Sequence, residues 1–175
     1  MDIELIENRH VDKNLFIGFN RYQETKRIYY QEENKLKIKD EYYVEVWDEE
    51  AIDNIVNILN YYIDNQGVII TVKVEGKLIG FAALNGIMFG TNHHYLNLGF
   101  IHVSYGHRGF GIGKLLFDNV CTVARNKGAQ KLYIGANPAI DTYKFYESVD
   151  CVLANEIVPE VYNHEPCDLQ LEYIL

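Results

Sequence analysis

The sequence predicts an α/β fold: a mixed, mostly antiparallel sheet with one central parallel strand pair, flanked by about three helices. Three observations predict it. A strand, a glycine-rich loop, a helix and a second strand follow one another within residues 95–135, and such a β-α-β unit demands a parallel pair, since a long crossover is needed to bring two strands alongside in the same direction. Upstream, VIITVKV and LIGFAALNG flank the short turn EGK, a hairpin signature. Downstream, DLQLEYIL alternates Leu169, Leu171 and Tyr173, the period of a closing strand.

Taken in order, the N-terminal third is the least regular part. RIYYQ (27–31) and LKIKDEYYVEVW (36–47) are rich in tyrosine and β-branched residues and are separated by the polar turn EENK, which predicts a strand pair. In residues 48–67, Ile52, Ile55, Val56, Leu59, Tyr62 and Ile63 recur at helical spacing, Asp48 stands ready as a cap and Gly67 ends the pattern. The hairpin of residues 68–86 comes next, followed by a loop containing Gly90. YLNLGFIHVS (95–104) is then a strand, with Leu96, Leu98 and Phe100 expected on one face. The helix after the glycine loop carries Ile112, Leu115, Leu116, Val120, Val123 and Ala124 on its buried side, and Arg125, Lys127 and Gly128 mark its end. KLYIG (131–135) is a short buried strand, DTYKFYES (141–148) a short helix, and VLANEIV and DLQLEYIL complete the chain.

With 175 residues, one domain over 1–175 is the natural expectation, divided into a substrate-side region (1–66) and a core (68–175). Such a chain buries roughly 70% of its unfolded surface and needs neither disulfide nor metal to hold its core. The three cysteines form no C-x-x-C pair, as expected of reduced thiols in a cytoplasmic protein. No basic leader and no run of 18 apolar residues is present, so no membrane partner is expected. With 25 acidic against 16 basic residues and a net charge of −9, general nucleic-acid binding is disfavoured, while a cationic small molecule or basic peptide is welcome.

The stretch HRGFGIGKLL (107–116) holds three glycines in alternation at 109, 111 and 113. It is not a nucleotidase P-loop, because Arg108 stands where the first glycine belongs and Leu115 follows Lys114 where a hydroxyl should meet magnesium. Nor is it the dinucleotide fingerprint, which needs a glycine at Lys114. What remains is a helix N-terminus with unpaired amides, reached by a loop with no side chains in the way. Free N–H groups and the helix dipole favour a phosphate or pyrophosphate there, and Arg108 and Lys114 add positive charge.

Arg108-Gly109-Phe110-Gly111-Ile112-Gly113 after a strand resembles motif A of the GNAT superfamily of acyl-CoA-dependent N-acyltransferases, [QR]-x-x-G-x-[GA]. TYKFYESVDCVLANE (142–156) is similar to that family's second motif, and the likeness spans roughly residues 68–175. The resemblance implies that the pantetheine arm of acetyl-CoA lies along Ile101 to Val103. It places the pyrophosphate on the amides of Gly109, Phe110, Gly111, Ile112, Gly113 and Lys114, beside Arg108. It assigns Tyr146 as the acid that protonates the departing thiolate and the Val103 N–H as the group that polarises the thioester carbonyl.

Two positions depart from the family pattern. The asparagine expected seven residues before the tyrosine is Ala139, with Asn137 two positions further back as the substitute cofactor contact, and the Gly-Phe after the helix is Asp150-Cys151. For the general base, Asn97 stands where some members carry a glutamate and can only orient a water, whereas His102 has a suitable titration range. Alternation places His102 on the Leu98 and Phe100 face unless a bulge intervenes. His93 and His94 lack two further ligands at metal-binding spacing, so no metal is expected. Tyr22, Tyr29, Tyr30, Tyr42 and Tyr43, with Glu24, Glu41 and Glu45, are candidates for lining an amine pocket. The expected activity is N-acetyl transfer from acetyl-CoA to a primary amine of a small molecule or peptide, in a possible homodimer. The alternative is a non-catalytic acyl-CoA-binding module of the same fold.

Overall fold

The computed structural model describes residues 1–33, 35–163 and 166–175. Its centre is a seven-stranded sheet, and beside it stands a separate two-stranded ribbon. In chain order the elements are β1 (Asp2–Ile6), β2 (Gln23–Glu32), β3 (Lys35–Glu45), α1 (Glu49–Asp64), β4 (Val68–Val74), β5 (Lys77–Leu84), β6 (Tyr95–Val103), α2 (Ile112–Asn126), β7 (Lys131–Ala136), α3 (Ile140–Glu147), β8 (Val152–Leu153), α4 (Pro159–Tyr162) and β9 (Leu169–Ile174). The large sheet runs β1-β4-β5-β6-β7-β9-β8. Only β6 and β7 are parallel; every other neighbouring pair is antiparallel. Among the described residues no helix is long and apolar enough to cross a membrane.

The expected hairpins and the closing strand all form. Asp48 caps α1 by accepting a hydrogen bond from the Ala51 amide at 2.8 Å, a contact worth about 1 kcal/mol. Helix α2 ends as expected, with Gly128 at φ +86° and the Ala129 amide bonded to the Ala124 carbonyl. The predicted strand pair of the N-terminal third is the ribbon β2–β3, whose turn includes Asn34, outside the described residues. Strand β1 and the 3-10 turn Lys13–Phe16 fall in the stretch that reads as irregular. DIELI is short and, as an edge strand, buries only Ile6 fully, so the sequence has little period to show. VLANEIV narrows to two strand residues, and the one-turn helix α4 follows.

Each face of the large sheet has its own core. On one, Val68, Ile70, Leu96 and Leu98 pack against Leu116 and Val120 of α2 and Tyr146 of α3. On the other, Ile69, Phe81 and Ala83 pack against Ile55, Leu59 and Tyr62 of α1 and against Phe16. Burial of each such leucine, isoleucine or phenylalanine contributes about 1.5–3 kcal/mol. Strand β6 changes face partway along. Leu98 pairs with Leu84 but Phe100 pairs with Ala83, leaving Gly99 as an extra residue in a bulge. The expectation that Leu96, Leu98 and Phe100 share one face is therefore corrected: Phe100 packs in the α1 core. His102 follows it, 5.1 Å from the Trp47 ring and 5.6 Å from the Phe81 ring.

Candidate active site

Strands β6 and β7 pair only through Tyr95–Lys131, Leu96–Leu132 and Asn97–Tyr133. Below this short seam the pair is locked by Glu172, a buried carboxylate that accepts bonds from the Tyr95 hydroxyl, from Lys131 Nζ at 2.8 Å and from Asn155 Nδ2 at 3.0 Å. Burial alone would raise the pKa of Glu172; these donors outweigh it and hold the carboxylate ionised. Above Asn97 the strands no longer pair. A cleft of about 1730 Å³ opens there, reaching from the glycine loop to α1 and the ribbon.

Backbone polarity inside the cleft follows from the ladder on the other side of β6. Ser104 donates its amide to the Ile79 carbonyl at 2.8 Å, so antiparallel alternation turns the amides of Ile101 and Val103 away from β5 and toward the gap. Both residues line the cleft. Arg108 lines the cleft beside the glycine loop and has a structural duty as well. Its Nε donates to the Val103 carbonyl at 3.0 Å, and its guanidinium lies over the Tyr105 ring at 5.6 Å. The side chain thus ties the loop to the end of β6.

The glycine loop behaves as the sequence requires, with one correction. Gly109 and Gly111 adopt φ of +82° and +81°, and nothing lies within 4 Å of where their side chains would be. The first helical bond of α2 is Leu115 N–H to the Gly111 carbonyl at 3.0 Å. The amides of Gly109, Phe110, Gly111, Ile112, Gly113 and Lys114 therefore have no acceptor among the described residues. Gly113 answers a different need. A β-carbon there would come within 2.9 Å of the Phe145 ring, so this glycine makes room for α3 against α2. Lys114 is exposed at the cleft edge and Phe110 is almost wholly exposed. An open loop, free amides and a helix N-terminus fit the diphosphate of a coenzyme A thioester.

Tyr146 is buried yet borders the cleft. Burial first, then the charges of Cys151 and Asp168, push its phenol above the ordinary tyrosine range. It therefore remains an O–H donor at any working pH. Its helix ends as the family pattern requires despite the sequence change. Asp150 takes φ +62° where that pattern has glycine, and the Cys151 amide bonds back to the Tyr146 carbonyl at 3.0 Å. His102 borders the cleft on the opposite core's side. Burial, then Arg21 and Arg108, hold its imidazole well below the usual range. It is a neutral ring among aromatic rings, able to accept a hydrogen bond but unsuited to keeping a proton.

Asn137 spends its Oδ1 on the Tyr43 hydroxyl at 2.9 Å and on the Ala139 amide at 3.0 Å. It pins the ribbon to the start of α3, and only its Nδ2 is left for a ligand. Of the candidate pocket residues, Tyr22, Glu24 and Glu45 do line the cleft, with Glu45 3.3 Å from the buried Arg21. Tyr29 packs on Tyr143 instead, Tyr30 does not border the cleft, and Tyr42 and Glu41 are exposed. Sequence reasoning overlooked Arg21, Tyr62 and Asp168, all on the cleft wall. Gly99 and Gly135, one on each parting strand, are the signals that point to the last two.

Comparison with known proteins agrees with this geometry. A 79-residue stretch is 34% identical to streptothricin acetyltransferase of Streptomyces lavendulae, covering 43% of this chain and 40% of that protein. The chain thus matches less than half the length of this relative. The crystal structure of nourseothricin acetyltransferase superposes with a TM-score of 0.69 at 15% identity, covering 98% of both chains. A Bacillus anthracis (strain Ames) protein in complex with acetyl coenzyme A gives 0.66 at 17% identity, covering 100% of this chain and 98% of that one. PaiA N-acetyltransferase of Thermoplasma acidophilum, in complex with coenzyme A, gives 0.61 at 14% identity over 100% of both. These likenesses carry the fold. Residues 32–149, more than half of the chain and including the glycine loop and Tyr146, match the acetyltransferase (GNAT) family, and the chain belongs to that family.

Proposed function

We propose that this acetyltransferase moves the acetyl group of acetyl-CoA to a primary amine of a cationic acceptor of the streptothricin type. The observation that carries the reading is the row of amides from Gly109 to Lys114, which have no acceptor among the described residues and share the cleft with the inward-facing amides of Ile101 and Val103. The loop amides hold the diphosphate. The two strand amides lie two residues apart, roughly 7 Å along the strand, which suits a thioester carbonyl and the nearest amide of the pantetheine arm. Acetyl-CoA supplies an acetyl carbon activated as a thioester, to which the amine nitrogen bonds as the carbon–sulfur bond breaks. The strand amides steady the negative charge gathering on the carbonyl oxygen, and the Tyr146 hydroxyl gives its proton to the leaving sulfur. The neutral amine sheds one proton on becoming an amide, and that proton passes through cleft water back to the Tyr146 phenolate. The acceptor class rests on the streptothricin acetyltransferase relative, on the net charge of −9 and on the tyrosines and carboxylates of the cleft.

The test joins two measurements. Calorimetric titration with acetyl-CoA is expected to show micromolar binding that dephosphorylated pantetheine derivatives lack. Release of free coenzyme A thiol is expected on adding streptothricin. Binding without turnover on any amine would instead favour an acyl-CoA-binding module, and no binding at all would return the glycines to a purely structural role.

A further inference from the structure

Hydrogen bonds on the outer side of β7 fix which of its backbone groups look into the cleft. The Leu175 amide donates to the Gln130 carbonyl at 2.9 Å, and this pair extends the register in which Leu132 pairs with Tyr173, Ile134 with Leu171 and Ala136 with Leu169. Antiparallel alternation therefore turns the N–H and C=O of Leu132, Ile134 and Ala136 toward β9, and those of Lys131, Tyr133 and Gly135 toward β6. Two further bonds agree with that parity. The Lys131 amide reaches the His94 carbonyl, just before β6, at 3.1 Å, and the Gln170 carbonyl turns away from β7 to accept from the Ala154 amide at 2.9 Å. Pairing with β6 stops at Tyr133, so the N–H and C=O of Gly135 face the cleft with no partner on β6. They stand one strand repeat, roughly 7 Å, beyond the seam, at the carboxyl ends of the parallel pair, where open sheets take their ligands. Gly135 is half-exposed between the buried Ile134 and Ala136 and lines the cleft, with no side chain to cover its own backbone.

Resting on the proposed acetyl transfer, we infer that the acceptor docks on this inner edge of β7 as an added strand: a carbonyl of the acceptor accepts the Gly135 N–H, and an amide N–H of the acceptor is donated to the Gly135 C=O. The substrate class is then an amine carried on a peptide-like, amide-bearing chain. Strand addition draws its affinity from paired main-chain groups, and a single strand residue shows a donor and an acceptor together on one edge. An extended amide chain answers both. A protonated polyamine offers donors alone and leaves the Gly135 N–H without an acceptor, which costs affinity. The parting strands thus serve one ligand each. The β6 edge, through the amides of Ile101 and Val103, takes the thioester, and the β7 edge, through Gly135, takes the acceptor. The amine is delivered where the two edges converge, at the end of the seam beside Asn97 and Tyr133.

Gly135→Pro deletes the N–H, and because that group faces away from β9 the change removes no bond of the β7–β9 ladder. This variant, Gly135→Ala and wild type are compared for release of free thiol with the amide-bearing amine streptothricin, beside calorimetric titration with acetyl-CoA. Gly135→Pro is expected to bind acetyl-CoA as wild type does and to raise the streptothricin KM about tenfold, the loss of one hydrogen bond, with a smaller change in kcat. Gly135→Ala keeps the N–H, and its β-carbon would meet nothing nearer than Val161 Cγ1 at 3.5 Å, so its KM is expected to rise less. A second measurement needs no folded proline variant. In wild type labelled with nitrogen-15 glycine, the amide signal missing from the Gly135→Ala spectrum identifies Gly135. That signal is expected to move downfield when streptothricin is added to the coenzyme A complex and to stay in place with spermidine, a polyamine without an amide and a poorer acceptor by kcat/KM. Three results each overturn the inference and leave the acetyl transfer standing: an unchanged KM in a Gly135→Pro protein that binds acetyl-CoA, a Gly135 signal that streptothricin leaves unmoved, or spermidine accepted as readily as streptothricin. Wild type that turns over no amine overturns the transfer itself and the inference with it.

Discussion

The hydroxyl of Tyr62 occupies the place that a β-carbon on Gly99 would take. The helix α1 phenol thus plugs the bulge that turns β6 from one core to the other. Burial pushes its pKa up to about 12, so it stays a neutral hydroxyl beside Asn97. Gly99→Ala must expel the ring, at an expected cost of about 1–3 kcal/mol for an overpacked site, read as a lower denaturation midpoint. Tyr62→Leu clears the obstacle. The double variant is expected to lose less stability than the two single losses combined, and strict additivity would separate the bulge from the plug.

Tyr146→Phe removes a hydroxyl for which no hydrogen-bond partner occurs among the described residues. Stability and acetyl-CoA affinity are therefore expected to hold. The kcat is expected to fall about 10²-fold, the lower range of general acid catalysis. Steady-state kinetics with an unchanged kcat would take Tyr146 out of the chemistry.

His102 carries a pH signature. Its pKa is depressed in the folded state, so the folded protein binds fewer protons at this site than the unfolded chain does. Its contribution to stability is complete above the ordinary histidine value of about 6.5 and is lost as pH falls below it, by up to about 1.4 kcal/mol per unit. Thermal melts from pH 7.5 to 5 are expected to show a shallower acid limb for His102→Gln than for wild type. Parallel limbs would show that the ring is not held neutral.

Asp150 holds a left-handed φ of +62°, a conformation that costs a side chain roughly 1 kcal/mol. Asp150→Gly is expected to raise the melting temperature, by about 0.5–1 kcal/mol of stability, without altering kcat. A lower melting temperature would mean that the Asp150 side chain contributes more than the strained backbone costs.

The core strands and the parallel pair were legible because each core strand carries its period in its own residues, as in VIITVKV and DLQLEYIL. The glycine loop was legible because it is local: the glycines that bend the chain and the amides they leave without an acceptor among the described residues are neighbours. The far wall was not, since Asp168 and Gly135 stand 33 positions apart and meet only when β9 pairs with β7. The bulge at Gly99 hid for the same reason. A glycine in a strand announces a close approach, but the intruder, Tyr62, comes from a helix whose period marks it simply as core. The bond from Arg108 to the Val103 carbonyl was not legible, because only the folded strand end brings that acceptor to the side chain.

Among the described residues, the ribbon β2–β3 lends one wall to the cleft and pairs with no strand of the seven-stranded sheet. It is fastened by the Tyr29 amide on the Pro138 carbonyl, by the Ile28–Ala139 bridge and by the Tyr43–Asn137 bond. Lengthening, shortening or resurfacing it disturbs no register in the seven-stranded sheet. Evolution, or an engineer, can exchange this ribbon as one exchanges a tool head, reshaping one wall of the cleft while the sheet and the glycine loop are inherited intact.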